Sequence, residues 1–382
     1  MSSKINSLNE FIASYSHLPE QGTDEWKLLR KNFIGGSEVS TILKQNKNKT
    51  TNKLVLEKLG FDKFTGNTIT HWGNIFEELI RRYCENTFKC SILETGSIPY
   101  KKGFLSYSPD GLSVISTNTL LKFFSKEDLN INTEDDSQLV LFEFKCPHSR
   151  IATHEVPEHY FPQVSIGMNI INIMETAIFV QAIFRRCSYT QLKYNTHHNG
   201  YGHFKQAVIE SNPIDCGYML LYSDEEMEYT QILNEIGETP GIIIDHDEVL
   251  DLGMLDDKYL LEEILGKCVS KEISIDYCFN YSYNQTVFKD KLYLREMYDT
   301  SLQYRANTQL KQMITKYSNK FIIGIIPYKL LSVYNTAVKK DHDYIDSTNA
   351  HNKAREVIDC INEHRGIDDR ATVAKLVRKY KL

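Results

Sequence analysis

Apolar residues recur along this chain at two spacings, and the alternation between them predicts an α/β protein. Helical spacing marks Ser7–Tyr15, Asp24–Arg30 (Trp26 with Leu28 or Leu29 toward a core), a helix opening at Ser37 with Val39, Ile42 and Leu43, and Thr50–Leu59, closed by Gly60. A longer helix is predicted over His71–Phe88, its apolar side built from Trp72, Ile75, Phe76, Leu79, Ile80 and Tyr83. Others follow over Pro157–Ile173 (Tyr160, Val164, Gly167 and Met168 inside), from about Lys291 to Tyr317, and over Asn349–His364. Strand character appears at Ile92–Pro99, Phe104–Ser108, Gly111–Ile115, Thr176–Phe184 and Phe321–Lys340. The polar, acidic stretch Ser116–Gln138 reads as a hairpin excursion outside the core.

The most informative strand is Leu139–Pro147. Alternation sends Val140, Phe142 and Phe144 to one side, and Leu139, Leu141, Glu143 and Lys145 to the other. A carboxylate and an ammonium two residues apart on a buried strand are costly without a partner or a task. Pro147 ends the ladder, since it has no N–H to donate. Upstream, the turn Ser108-Pro109-Asp110-Gly111 holds a second carboxylate, 33 residues before Glu143. Asp and Glu oxygens suit a hard divalent cation, and a neighbouring lysine can orient water or offset charge on a phosphate. Pro-Asp followed by Glu-x-Lys resembles the PD-(D/E)xK nuclease site, a short pattern that also arises by chance.

Two further stretches allow two readings each. In Ile34-Gly35-Gly36-Ser37-Glu38, Ser37 is locally an N-cap with glycines forming its turn. Alternatively, exposed N–H groups there hold phosphate and Arg30 closes on the same anion. Glu77, beside the apolar side of its helix, is locally a solvated charge, although it borders that side closely. Spacing alone favours the plainer reading in both cases.

Composition narrows the partners. The 382 residues are 41% hydrophobic and 25% charged, ordinary values for a domain with a sizeable core. A net charge of −6 excludes a protein coated in positive charge, so any nucleic-acid surface is a local groove. Eight cysteines without a CxxC pair signal neither a zinc site nor a disulfide framework, and suggest free thiols in a reducing compartment. No apolar leader or membrane-length window is evident, so a soluble intracellular protein without membrane partners is expected. His197, His198 and His203 read as solvated, since no acid or cysteine completes a metal spacing. The basic segment Arg370–Leu382 is either a solvated helix or a phosphate-contacting arm.

Taken in order, five pieces resemble the phage lambda exonuclease and YqaJ-like viral recombinase family of alkaline exonucleases. They are Arg30 with Gly35-Gly36-Ser37-Glu38, Trp72-Gly73-Asn74-Ile75-Phe76-Glu77, Ser108-Pro109-Asp110-Gly111-Leu112, Glu143-Phe144-Lys145-Cys146-Pro147, and Tyr160-Phe161-Pro162-Gln163-Val164. The resemblance covers about residues 25–185, with a fainter echo at Val338–Ile345. Five ordered motifs outweigh the local readings of Ser37 and Glu77. The resemblance implies a PD-(D/E)xK restriction-endonuclease-like core, a mixed central sheet flanked by helices. Its first part would be residues 1–190 with the excursion at 116–137, then a large, mixed helical and acidic insertion at 191–320, then a late core strand, helix and basic tail at 321–382.

By the same resemblance, Asp110, Glu143 and the Phe144 carbonyl would ligate Mg²⁺, with Mn²⁺ as a substitute, and Glu77 would complete the site or bridge a second ion. Lys145 would position the attacking water, and Gln163 would hold Lys145 or the phosphate. Arg30 and Ser37 would grip a terminal 5′-phosphate, favouring 5′→3′ digestion of duplex DNA ends in recombination, repair or replication. A single-strand annealing protein is the implied partner, and a homo-oligomer is left open, since the two insertions could block or replace a ring interface. The asparagine-, lysine- and isoleucine-rich make-up suggests a large DNA virus, acting in host cytoplasm or a viral replication site. Two rivals stand beside this reading: an endonuclease on RNA or structured DNA with the same core, and a non-catalytic interaction protein binding through the tyrosine-rich insertion.

Overall fold

Alternation along one strand divides the core of this protein in two. In the computed structural model, which describes residues 1–186, 215–227, 258–281, 285–289, 293–295 and 302–380 apart from 21, 63–65, 130 and 149, that strand is Ser137–Lys145. Val140, Phe142 and Phe144 enter one apolar cluster, and Leu141 enters the other. The helix Thr68–Phe88 covers the first face, burying Trp72, Phe76, Leu79 and Ile80 in the same cluster. The second face is covered by the helices Gly36–Ile42, Thr51–Lys58, Phe161–Ile170 and Ala350–His364.

We number the strands β1 (Ile34–Gly35), β2 (Ile98–Pro99), β3 (Leu105–Tyr107), β4 (Gly111–Ser116), β5 (Ser137–Lys145), β6 (Thr176–Arg186), β7 (Cys216–Ser223), β8 (Ser274–Tyr281), β9 (Gln285–Phe288), β10 (Tyr293–Arg295) and β11 (Phe321–Lys339). Among the described residues the main sheet runs β10-β9-β8-β7-β11-β6-β5-β4. Only the β5–β6 pair in it is parallel, and the helix Phe161–Ile170 lies in the crossover that a parallel pair requires. A small second sheet, β1-β3-β2, pairs Ile34 and Gly35 in parallel with Leu105 and Ser106. That pairing brings the Gly35–Ser37 stretch beside the chain leading into Asp110.

Strand β11 is shared. Its C-terminal half pairs with β6 and its N-terminal half with β7, with irregularities between Leu330 and Ser332 and between Ile322 and Gly324. Pro327 pairs with β7 just before the β6 register begins at Tyr328, a place where its missing N–H costs no described ladder bond. The described strands between β6 and β11 continue the sheet, and Met219, Leu221, Phe279, Tyr281 and Val287 join the cluster beneath Thr68–Phe88. The basic segment forms a helix, Arg370–Lys379, which buries Val373 and Val377 and aims Arg370 at Asp62 in a two-pronged ion pair with both N···O distances 2.8 Å.

Several local expectations change. Leu28 is 63% exposed, because the seven-residue helix Asp24–Arg30 buries none of its residues. The excursion after β4 is not confined to the surface. It folds into the short helices Thr117–Leu120 and Lys126–Leu129, and Leu120 and Leu129 are fully buried in the core. Tyr160 is half-buried and caps the helix that begins at Phe161, a shorter helix than Pro157–Ile173. The single helix expected over Lys291–Tyr317 is instead strand β10 and the helix Leu302–Lys316. Seven described cysteines are free. His197, His198, His203 and the acidic cluster at Asp245 lie outside the described residues.

Aromatic packing beneath the sheet ties its two halves together. Phe76 stacks on Phe184 of β6 at 4.2 Å between ring centroids and meets Tyr328 of β11 edge-on at 5.1 Å. Truncating a buried aromatic leaves a cavity that a dense core only partly closes. Phe76→Ala is therefore expected to destabilise the protein by about 3–5 kcal/mol, read as a lower urea midpoint at unchanged slope.

Candidate active site

The site grows from the β4–β5 hairpin register. Gly111 pairs with Phe142, so Asp110, one residue before β4, lies level with Glu143. The Phe144 N–H donates to Asp110 Oδ2 at 2.6 Å, which fixes that carboxylate against the strand that carries the other. Glu143 is fully buried, on the face opposite Phe142 and Phe144. A buried carboxylate persists only when donors take up its lone pairs. Three side chains do so here. Tyr107 Oη donates to Glu143 Oε2 at 2.5 Å, while Lys145 Nζ and Gln163 Nε2 both donate to Oε1. Lys145 Nζ also lies 5.2 Å from the centre of the Tyr160 ring.

Tyr107 is the functional residue that sequence reasoning missed. Its ring is buried between two helices, and it fits because both present glycine to it. A Cβ on Gly36 would stand 2.5 Å from Tyr107 Cδ2, and one on Gly167 would stand 2.5 Å from Cζ. The signal was the tyrosine immediately before Ser-Pro-Asp, together with a glycine at an inner position of the glutamine helix. Burial, then the negative charges of Glu143 and Asp110, push the Tyr107 hydroxyl well above its usual range, so it stays protonated and donates.

The remaining candidates surround a cavity of about 140 Å³. Arg30, Ser37, Asp110 and Gln163 all line it. Arg30 lies over the Trp26 ring at 4.7 Å from its centre, and a Cβ on Gly35 would meet its guanidinium at 2.8 Å. Gly35, not Ser37, is the N-cap of the helix Gly36–Ile42. Glu38 accepts the Gly35 N–H at 2.8 Å and pairs with Lys58 at 2.9 Å, so Ser37 is relieved of capping. Buried Trp26 Nε1 and Ser106 Oγ, on two cavity-lining residues, have no hydrogen-bond partner among the described residues. Unmet donors beside an arginine suit an oxyanion. Glu77, on the helix Thr68–Phe88, is exposed at the rim of the carboxylate group.

The carboxylates repel one another. Burial first, then Glu143, pushes Asp110 well above the ordinary carboxylate range, with Glu77 adding to this and Lys145 and the Phe144 N–H opposing it. Glu77 is also raised: although the residue keeps an exposed edge, protein crowds its carboxyl, and Glu143 and Glu94 push it further up while Lys145 and Arg81 pull it down. Lys145 moves the other way: burial lowers it, but Glu143 and Asp110 outweigh that and hold the ammonium above its usual range. One lysine thus faces three acids.

This donor set fits a divalent cation. Among the described residues no three His, Cys, Asp or Glu side chains form a closed cage. Mg²⁺ does not need one, since it keeps several waters and takes one or two carboxylates. Asp110 and Glu143 would supply the carboxylates, with Glu77 contributing its charge to the same group.

Two predictions follow from this geometry. Gly36→Ala or Gly167→Ala should cost about 1–3 kcal/mol, the range for overpacking a filled core, measured by urea unfolding. For Asp110 the sign comes from linkage. A carboxyl raised in the folded state keeps a proton that the unfolded chain has released, so its cost is absent below the ordinary value of 3.8 and grows as pH rises through the folded value. Asp110→Asn should therefore raise Tm in chelator, by an amount that widens from acidic toward neutral pH. An unchanged gap across that range would refute the account.

Comparison with known proteins agrees with this arrangement. Residues 25–173 match the YqaJ-like viral recombinase domain, which takes in Arg30, Ser37, Glu77, Asp110, Glu143, Lys145 and Gln163. A protein of African swine fever virus is 26% identical over 227 residues in one tick isolate from South Africa and 25% identical over 227 residues in the Badajoz strain. Each match covers 57% of this chain and 65% of the viral protein, so the chain spans slightly under two thirds of those relatives. Among solved structures, the alkaline exonuclease LHK-Exo from Laribacter hongkongensis is similar at 21% identity and a TM-score of 0.30, over 42% of this chain and 74% of that one. Its complex with dAMP gives the same identity and TM-score. With two carboxylates and a lysine on adjoining strands, residues 25–173 of this chain are similar to the YqaJ-like viral recombinase domain, a match that takes in less than half of the chain.

Proposed function

We propose that this protein is a metal-dependent deoxyribonuclease that hydrolyses phosphodiester bonds from duplex DNA ends, in the 5′→3′ direction. The observation that carries the proposal is the shared cavity. The group suited to an oxyanion, Arg30 and Ser37, and the group suited to hydrolysis, Asp110 and Gln163, line one space of about 140 Å³. A space that small admits a phosphate group rather than a continuous duplex, which favours an end-dependent enzyme over one that cuts within closed circles.

Asp110, Glu143 and the Phe144 carbonyl would hold Mg²⁺ or Mn²⁺, which when bound would offset their charge and stabilise the attacking and leaving oxygens of an in-line displacement. Lys145, kept as an ammonium by its two acidic neighbours, donates and does not accept. It therefore orients the water and offsets charge on the phosphate, and does not serve as a general base. Gln163 and Tyr107 fix the rotamer of Glu143 from opposite oxygens. Arg30, braced between Trp26 and Gly35, supplies a guanidinium fork to a terminal 5′-phosphate, with Ser37 beside it. Digestion of this polarity leaves a 3′ strand, so a single-strand annealing protein is the expected partner. The viral relatives suggest an infected cell as the place of action.

Glu143→Gln and Lys145→Ala should each lower Mg²⁺-dependent loss of an end-labelled linear duplex by about 10²-fold or more, with far-UV circular dichroism unchanged. A closed circular duplex should survive, and wild-type cleavage of the circle at the linear rate would overturn the end-dependent reading. Arg30→Ala should abolish the preference for 5′-phosphorylated over 5′-hydroxyl ends. Equal wild-type rates on the two ends would refute the phosphate assignment.

A further inference from the structure

A second and larger cavity, of about 570 Å³, opens on the same helix that carries Glu77. Its walls come from the N-terminal half of Thr68–Phe88 and from the sheet extension. His71 and Asn74 supply the helix side, Tyr222 stands on β7, Tyr277 on β8, and Lys271 and Lys289 flank β8. Among the described residues no acid lines it, in a chain whose net charge is −6. Its volume falls within the usual range of small-ligand sites.

Two lysines and an unmet imidazole meet here. His71 Nε2 is buried and has no hydrogen-bond partner among the described residues. Burial lowers the His71 pKa, and the positive charge of Lys289 lowers it further. Lys289 Nζ donates to the Ile275 carbonyl, which holds the ammonium at this wall while leaving it further hydrogens to donate. Lys271 is exposed and takes a left-handed backbone conformation, with φ of 64°, rare for a residue with a side chain. An anion between Lys271 and Lys289 would favour the imidazolium form of His71, whose buried Nε2 would then donate to it. Tyr222 already stacks on Tyr317 at 4.1 Å between ring centroids, and Tyr277 is buried in the core.

We propose that this cavity binds the phosphate of a nucleotide unit, held against His71, Lys271 and Lys289. Asn74, in its wall, precedes Glu77 by three residues on the same helix. As a position on the path of a DNA strand past the catalytic carboxylates, it rests on the nuclease reading. As a site for a nucleoside monophosphate it does not.

Binding in chelator, where hydrolysis is not required, tests the site on the full chain. A labelled single-stranded oligonucleotide is titrated by fluorescence anisotropy at several salt concentrations, with free dAMP as competitor. The variant pairs Lys271→Gln with Lys289→Gln, and His71→Gln is measured separately to keep the test open if the pair unfolds. Loss of the two lysines should weaken binding about tenfold and reduce the log–log salt slope by about 1.4, at roughly 0.7 per phosphate contact on a single strand. Competition by dAMP with the wild type alone identifies a free-nucleotide site, and oligonucleotide binding without it identifies a strand site. Unchanged affinity and slope in both variants would overturn the proposal. An inactive enzyme that still shows these binding differences would count against the nuclease reading and not against this one.

Discussion

A carboxylate with no access to water sets the terms for everything around it. Glu143 is fully buried, and a lone ionised acid in such a place would cost several kcal/mol. Tyr107, Lys145 and Gln163 come from three different elements to meet it. Each is constrained in turn. Tyr107 needs glycine on two helices, Gln163 needs the helix that crosses between β5 and β6, and Lys145 needs the same strand as Glu143. A small number of spacing rules thus follows from one solvation requirement.

The electrostatics show where stability has been given up. Asp110 and the half-crowded carboxyl of Glu77 are both raised, each with other acids adding to the effect, and for Asp110 Lys145 brings the opposing side-chain charge. An arrangement optimised for folding alone would not keep acids together in this way. Natural proteins tolerate such local conflict where binding or chemistry depends on it. Resistance to unfolding is therefore reduced at this point of the sheet by the acids gathered there.

Much of the first half was legible in the sequence because its signals are local. The two faces of Leu139–Pro147 separated as alternation required, and Trp72, Phe76, Leu79 and Ile80 turned inward as helical spacing required. Arg30 and Ser37 were brought to one cavity with Asp110 and Gln163, although capping passed from Ser37 to Gly35. Tyr107 was not legible, since its importance depends on two glycines far away in sequence. The strands Cys216–Ser223 and Ser274–Tyr281 were hidden for a similar reason. Their partners are each other and β11, and pairing between distant segments leaves little trace in either segment alone. The buried leucines of the excursion after β4 belong to the same class, two apolar contacts inside an otherwise polar stretch.

Strand β11 bonds along one stretch to β6 and along the other to β7. It works as a splice, in which a single continuous backbone fastens the β4–β6 portion of the sheet to the strands that extend it. Because β6 is the strand that lies against Glu143, the extension and the carboxylate group are braced by neighbours of one shared backbone.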